Sequence, residues 1–275
     1  MDHASFVDAA RIALDLASTT EVKAGWFEES SCAGMTVGGL AHHLVQQAGN
    51  TVRLLELEPV AEPAIPLLEH YARAAWVEAA PDDEVNVSVR EGADAAAAAG
   101  PDDVIAHGTA ALERLPALLR EHHHRIPDQV RIPWQGWSLS TGDFLVTRAM
   151  EIVVHADDLA SSVGLDTPEF PDDVVADVLA LLSGVAVRRH GQAAVVRALL
   201  DARRRVVGRA RCRRLRGYRA LHPRGQAIVQ HVARGGVRPA QAAVGAGDAG
   251  GHSGPPLNGS LPVSACTGNR CSARA

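Results

Sequence analysis

Glu151 and His155 stand four residues apart in the stretch Arg148-Ala-Met-Glu-Ile-Val-Val-His-Ala-Asp-Asp158-Leu-Ala. Residues four apart on a helix lie one above the other on the same face, so a carboxylate and an imidazole at that spacing can grip one divalent ion. Phe144, Leu145, Ile152, Val153, Leu159 and Val163 recur at the helical period, which predicts an amphipathic helix. Arg148, Glu151, His155 and Asp158 then share its polar stripe. Arg148 and Asp158, one turn to either side, could orient the ligands from outside or form ordinary helix salt bridges. A Glu and a His at this spacing can equally be a solvated surface pair, and a second source of ligands has to decide.

That source is His43, in Thr36-Val-Gly-Gly-Leu40-Ala-His-His43-Leu44-Val-Gln-Gln47. Thr36 is a good N-cap, because its hydroxyl can accept from the free N–H groups of the first turn. Leu40, His43 and Gln47 share one face, with Val37 and Leu44 adjoining it. His42 aligns with Gly38, Gly39 and Gln46, about 100° around the helix, and is expected nearer solvent. His43, Glu151 and His155 would supply three N/O ligands and leave a fourth position open, as in catalytic rather than structural zinc sites.

The order of these segments, with a Pro133-Trp134 loop between them, resembles the mycothiol-dependent maleylpyruvate isomerase family, whose metal-binding module is a DinB-like four-helix bundle. Val187-Arg-Arg-His190-Gly191 through Leu199 resembles the end of that module. The resemblance spans roughly residues 5–199. It implies that His43, Glu151 and His155 are metal ligands facing the inside of a bundle and that mycothiol is the cosubstrate; the imidazole and carboxylate donors themselves point to zinc as the divalent ion. It also implies a small-molecule substrate. A thiolate would add to the activated double bond of a cis-enedioate, the resulting single bond would rotate, and loss of the thiol would give the trans isomer.

The elements needed to position such a site can be read along the chain. Residues 3–18 form a first helix with Phe6, Ala10, Ala13, Leu14 and Ala17 on one side, and residues 36–50 a second. A long connection follows, with a short helix near residues 67–76 and an alternating Val85-Asn-Val87-Ser-Val89 that suggests an extended, strand-like piece. The Ala95–Ala99 run suits helix or loop. Pro101 with Asp102 and Asp103 starts a third bundle helix whose core stripe is Val104, Ile105, Gly108, Ala111, Leu112, Leu115 and Leu119. Pro116 should kink it. Ser140 or Thr141 caps the metal-bearing helix. Pro171 opens a further helix that Gly191 interrupts. The expected fold is an all-α, DinB-like four-helix bundle over residues 1–165, with additional helices at 166–200.

His122, His123 and His124 cannot converge on one ion from a single face, since neighbours on a helix point about 100° apart. They are expected at a solvated helix end. Trp134 and Trp137 are either an ordinary packed loop or an apolar wall over the open metal position. Cys32, Cys212, Cys266 and Cys271 make neither a zinc ribbon nor a disulfide framework. Cys32 is expected to be a plain loop thiol with no basic group beside it.

Charge divides the 275-residue chain sharply. Residues 1–200 carry 13 Lys+Arg against 30 Asp+Glu, a net of −17, whereas residues 201–275 carry 14 against 2, a net of +12. In those last 75 residues, Ala, Gly, Arg and Pro account for 44. A basic tail could bind nucleic acid, but Tyr218 is its one aromatic and no groove-reading motif is present, which argues against that partner. With a single Lys in the chain, Arg usage suggests a high-GC gene, and out-of-frame reading of such a gene yields this composition. Residues 201–275 are therefore expected to be a low-complexity, largely disordered tail, frameshifted or otherwise non-native.

No stretch is long and apolar enough for a membrane span, and the start has no basic signal-peptide region, so a cytoplasmic location is expected. Two function classes stay open. One is a metal-dependent enzyme using a low-molecular-weight thiol for isomerisation or transfer. The other is a non-catalytic metal- or thiol-binding bundle, such as a sensor or degenerate paralogue.

Overall fold

The computed structural model describes residues 1–58, 60–74 and 83–201. Four long helices form the core: α1 (His3–Ala17), α3 (Val37–Leu55), α6 (Pro101–His123) and α7 (Thr141–Val163). Between them come α2 (Thr20–Ala24), α4 (Leu67–Arg73) and α5 (Glu84–Ala97), and α8 (Asp172–His190) follows. Residues 192–201 are helical as well. In the bundle α1 and α3 each pack against both α6 and α7; α5 covers α3, and α8 covers α7. The fold is all-α and DinB-like, with one two-stranded hairpin among the described residues.

Local chemistry explains where the long helices begin. Asp2 accepts from the backbone N–H groups of Ala4 and Ser5, Thr36 from Gly39, and Ser140 from Asp143, which satisfies first-turn donors that have no partner within the helix. Pro101 occupies the first turn of α6, where its missing N–H costs nothing, and α6 continues through Pro116. Gly164 ends α7 in the left-handed region at φ 74°. The buried faces then meet in one core that includes Phe6, Leu40, Leu44, Leu115, Leu119, Phe144, Leu145, Ile152 and Leu159.

Three expectations are corrected. The Val85–Val89 segment is helical, within α5, rather than strand-like. Five alternating residues are outweighed by the good helix formers that follow, and Ala93 and Ala97 bury that helix in the core. Trp137 is in a strand rather than the loop: Pro133 and Trp134 form the turn of an antiparallel hairpin, β1 (Gln129–Ile132) and β2 (Trp137–Ser140), in which Gln129 pairs with Ser140 and Ile132 with Trp137. Its Val130, Ile132 and Leu139 are buried. His122 is buried at 2 % exposure, not solvated. Its Nδ1 lies 3.1 Å from Thr141 Oγ1, because the hairpin folds the start of α7 back over the end of α6. His123 and His124 are exposed.

The expected helices at residues 3–18, 36–50 and 67–76 correspond to α1, α3 and α4, with α3 running further, to Leu55; Trp76 lies outside the described residues. The expected basic tail also lies outside them, apart from the helical Asp201.

Candidate metal centre

The contacts between α3 and α7 form a ladder. His43 Nε2 lies 3.3 Å from Glu151 Oε2, and one turn further along α3 Gln47 Oε1 accepts a 2.9 Å hydrogen bond from Arg148 Nη1. Ascending numbers on one helix meet descending numbers on the other, so the two run antiparallel at this point. His155 Nε2 lies 3.3 Å from the same Glu151 oxygen. The structure thus brings His43, Glu151 and His155 together, with donor atoms within 4.8 Å of one another. Their side chains are 23 %, 17 % and 24 % exposed, so the cluster is sheltered but reachable.

Electrostatics bind the cluster tightly. Burial alone would push the Glu151 carboxyl up, but hydrogen bonds and charge from His155 and His43 outweigh it and hold the group well below the usual carboxylate range. Burial likewise disfavours the His155 imidazolium, yet Asp158, Cys32 and Glu151 raise its pKa well above the ordinary value.

Asp158 acts behind the cluster. Its Oδ2 lies 3.1 Å from His155 Nδ1, and accepting that N–H turns Nε2 toward Glu151. The same oxygen accepts from the Cys32 thiol at 3.4 Å. Cys32 therefore does have a basic group beside it, His155, contrary to the expectation of an isolated loop thiol. Burial and the Asp158 charge outweigh the opposing pull of His155 and raise the thiol pKa. Nothing in the sequence pairs Cys32 with Asp158, since 126 residues separate them.

Among the described residues Arg148 makes no salt bridge to Glu151. It grips Gln47, whose Nε2 donates in turn to the His43 carbonyl at 2.9 Å. Gln47 is buried, so the polar rung is enclosed by α3 and α7. His42 is half-buried rather than near solvent: Trp26 and, from α5, Asp94 cover the Gly38–Gly39 face, and His42 Nδ1 is buried without a hydrogen-bond partner among the described residues. Burial, followed by the charges of His43 and His107, lowers its pKa.

Trp134 lies away from the cluster. Trp134 stacks with Arg53, whose Cζ is 5.4 Å from the ring centroid; Arg53 sits ten residues, about 15 Å, along α3 from His43. Trp137 donates from Nε1 to His70 Nδ1 at 3.1 Å. His70 is buried, and burial with the nearby Arg148 charge lowers its pKa to about 4.

A family model described as the mycothiol maleylpyruvate isomerase N-terminal domain matches residues 7–160. The chain belongs to that family. The matched span runs from the first turns of α1 into the last turns of α7, so it contains His43, Glu151 and His155 together with Cys32 and Asp158. Helix α8 lies beyond it. No curated protein and no solved structure matches the chain. No helix among the described residues is long and apolar enough to cross a membrane.

Proposed function

We propose that His43, Glu151 and His155 hold one divalent ion, zinc by their donor chemistry, in a cytoplasmic enzyme that uses a low-molecular-weight thiol on a small electrophile. The supporting observation is the donor spacing. Each imidazole nitrogen lies 3.3 Å from Glu151 Oε2. That is long for a charge-assisted N–H···O bond, about 2.8 Å. It is a spacing at which the three donors could share one small divalent ion. Two imidazoles and a carboxylate with solvent access also suit zinc at an open site.

When bound, the ion supplies a positive charge that polarises a carbonyl or favours thiolate over thiol near neutral pH. The chain's own groups do the rest. Asp158 fixes the His155 ring, and Gln47 ties Arg148 to the turn of α3 that carries His43. Among the described residues Arg148 contacts Gln47, Thr147 and the Phe144 ring, none of them anionic, so its guanidinium has no carboxylate partner there, one turn from the cluster. That charge would hold a substrate carboxylate. A thiol adding across a cis-enedioate leaves a single bond free to rotate, and a carboxylate anchored at Arg148 keeps the rest of the molecule in place until the thiol leaves and the trans isomer forms.

The family name supports mycothiol as the thiol and a maleylpyruvate-like compound as the substrate. Residues 1–165 would be the metal-binding unit, 166–200 the helices that complete it, and 201–275 an appended tail. The deciding experiment combines elemental analysis with thiol-dependent turnover of maleylpyruvate and an electrophile panel. About one metal per chain with turnover abolished by chelation supports the enzyme. Metal without turnover would reduce the reading to a metal-binding bundle, and absence of metal would remove it.

A further inference from the structure

The segment before α3 is stitched to α7 beside the ligand cluster. The Ser31 backbone N–H donates to Ser162 Oγ at 2.8 Å, and Ser31 Oγ donates to the Asp158 carbonyl at 2.8 Å. Ser30 Oγ accepts from the Cys32 backbone N–H at 3.1 Å and donates to the Met35 carbonyl at 2.8 Å. These bonds hold the segment whether or not residue 32 carries a thiol. The thiol is thus free for a separate task, and its hydrogen bond goes to Asp158 Oδ2, the oxygen that faces His155 Nδ1.

We infer that Cys32 is a positioning residue for the metal centre: its S–H fixes the Asp158 carboxylate, and Asp158 fixes the His155 ring with Nε2 toward Glu151 and His43. An Asp carboxylate on a single bond can swing away from an imidazole; a second donor on the same oxygen removes that freedom. Outer partners of this kind, though they never touch the metal, set how well a ligand histidine is aimed. The inference rests on the metal reading above.

The rival is direct ligation. Cys32, His155 and Asp158 also place donor atoms within 4.8 Å of one another. That set shares His155 with the first, and its Nδ1 is engaged by Asp158, so an ion at this second position would have to break the contact that orients the first.

Full-length wild-type, Cys32→Ser, Cys32→Ala and Asp158→Asn proteins separate these roles. Zinc affinity by chelator competition should be kept within about threefold in Cys32→Ser, which retains a donor, and fall about tenfold in Cys32→Ala and Asp158→Asn. The cobalt-substituted wild type should show no sulfur-to-cobalt charge-transfer band. In metal-free protein, the His155 Nδ1 proton followed by 15N-edited NMR should exchange slowly with water in wild type and Cys32→Ser, and quickly in Cys32→Ala. Unchanged zinc affinity and unchanged proton exchange in Cys32→Ala would overturn the inference. So would a charge-transfer band in wild type that Cys32→Ser lacks, since it would make Cys32 a ligand. Failure of wild type to bind zinc counts against the metal reading alone, because the proton-exchange measurement needs no metal.

Discussion

Arg148 donates to Gln47 one helical turn from the contact between His43 and Glu151, so the neighbouring rungs of one antiparallel helix pair carry an imidazole–carboxylate contact and a guanidinium anchored on an amide. The anchor has separable consequences. Arg148→Met leaves the buried Gln47 oxygen without its donor, at a cost of about 1–3 kcal/mol. It should lower the melting temperature modestly, leave metal content unchanged, and raise KM for a carboxylate substrate about tenfold, the loss of one charge-assisted hydrogen bond. Arg148→Lys should recover part of the KM effect. An unchanged KM in Arg148→Met would confine Arg148 to tying α3 to α7.

The proposed ligand set distinguishes adjacent histidines. His43→Ala and His155→Ala should each abolish stoichiometric metal by elemental analysis, whereas His42→Ala should keep the metal and most of any activity. His42 Nδ1 is buried without a hydrogen-bond partner among the described residues, the charges acting on the ring are His43 and His107 of α6, and it is His43 that groups with Glu151 and His155. Metal loss in His42→Ala alone would mean that α3 is rotated relative to α7.

Without metal, the cluster should give the protein a distinctive pH profile. Glu151 is lowered below its reference of 4.5, so its contribution is present above that pH and is lost as pH falls through the folded value. His155 is raised above 6.5, so its contribution is fully present below 6.5 and is lost as pH rises through the folded value. Relative to a Glu151→Gln, His155→Gln double variant, metal-free wild type should be most favoured between these references. Added zinc should reverse the alkaline limb, because the ion replaces the His155 proton. Thermal melts with and without chelator measure both effects; a flat difference curve would contradict the pKa directions.

Much of this arrangement is legible in the sequence where it depends on local chemistry. Thr36 and Ser140 cap helices, and the stripes Leu40–His43–Gln47 and Arg148–Glu151–His155–Asp158 are visible because they repeat at the helical period. What is hidden depends on which helices meet. Cys32 beside Asp158 and Arg148 beside Gln47 are contacts between distant segments, and no spacing rule announces them. The Gly38–Gly39 surface looks small and polar until α5 is recognised as a helix, and five alternating residues disguise it.

Those glycines give a stability prediction. A Cβ at Gly38 would come within 2.6 Å of the Trp26 indole, and Trp26 is itself buried and donates to the Ala97 carbonyl at 2.9 Å. Gly38→Ala should destabilise by about 1–3 kcal/mol through overpacking. At Gly92 nothing lies within 4 Å of the added atom, and the residue is inside α5. Gly92→Ala should stabilise by about 0.5–1 kcal/mol from helix propensity alone. Denaturant melts of the two variants should therefore move in opposite directions, and a common direction would mean that α5 does not pack as described.

His70 supplies the acid limit. It is 4 % exposed and accepts the Trp137 N–H at Nδ1, so its neutral form carries the proton on Nε2. Protonating Nδ1 would break that bond in a buried position near the Arg148 charge, and the pKa falls from 6.5 to about 4. The unfolded chain then binds a proton that the folded one refuses between those values, so stability must drop as pH falls through the window. The accumulated loss is about 3 kcal/mol, the shift converted at roughly 1.4 kcal/mol per unit. His70→Gln keeps a carbonyl oxygen for Trp137 and removes the titration. His42 and His122, also lowered by burial, are common to both proteins and cancel in the difference. Wild type should therefore lose about 3 kcal/mol relative to His70→Gln between pH 7 and pH 4 by denaturant unfolding. Parallel stability curves would show that His70 is protonated in the folded protein, and that its bond to Trp137 gives way at no cost.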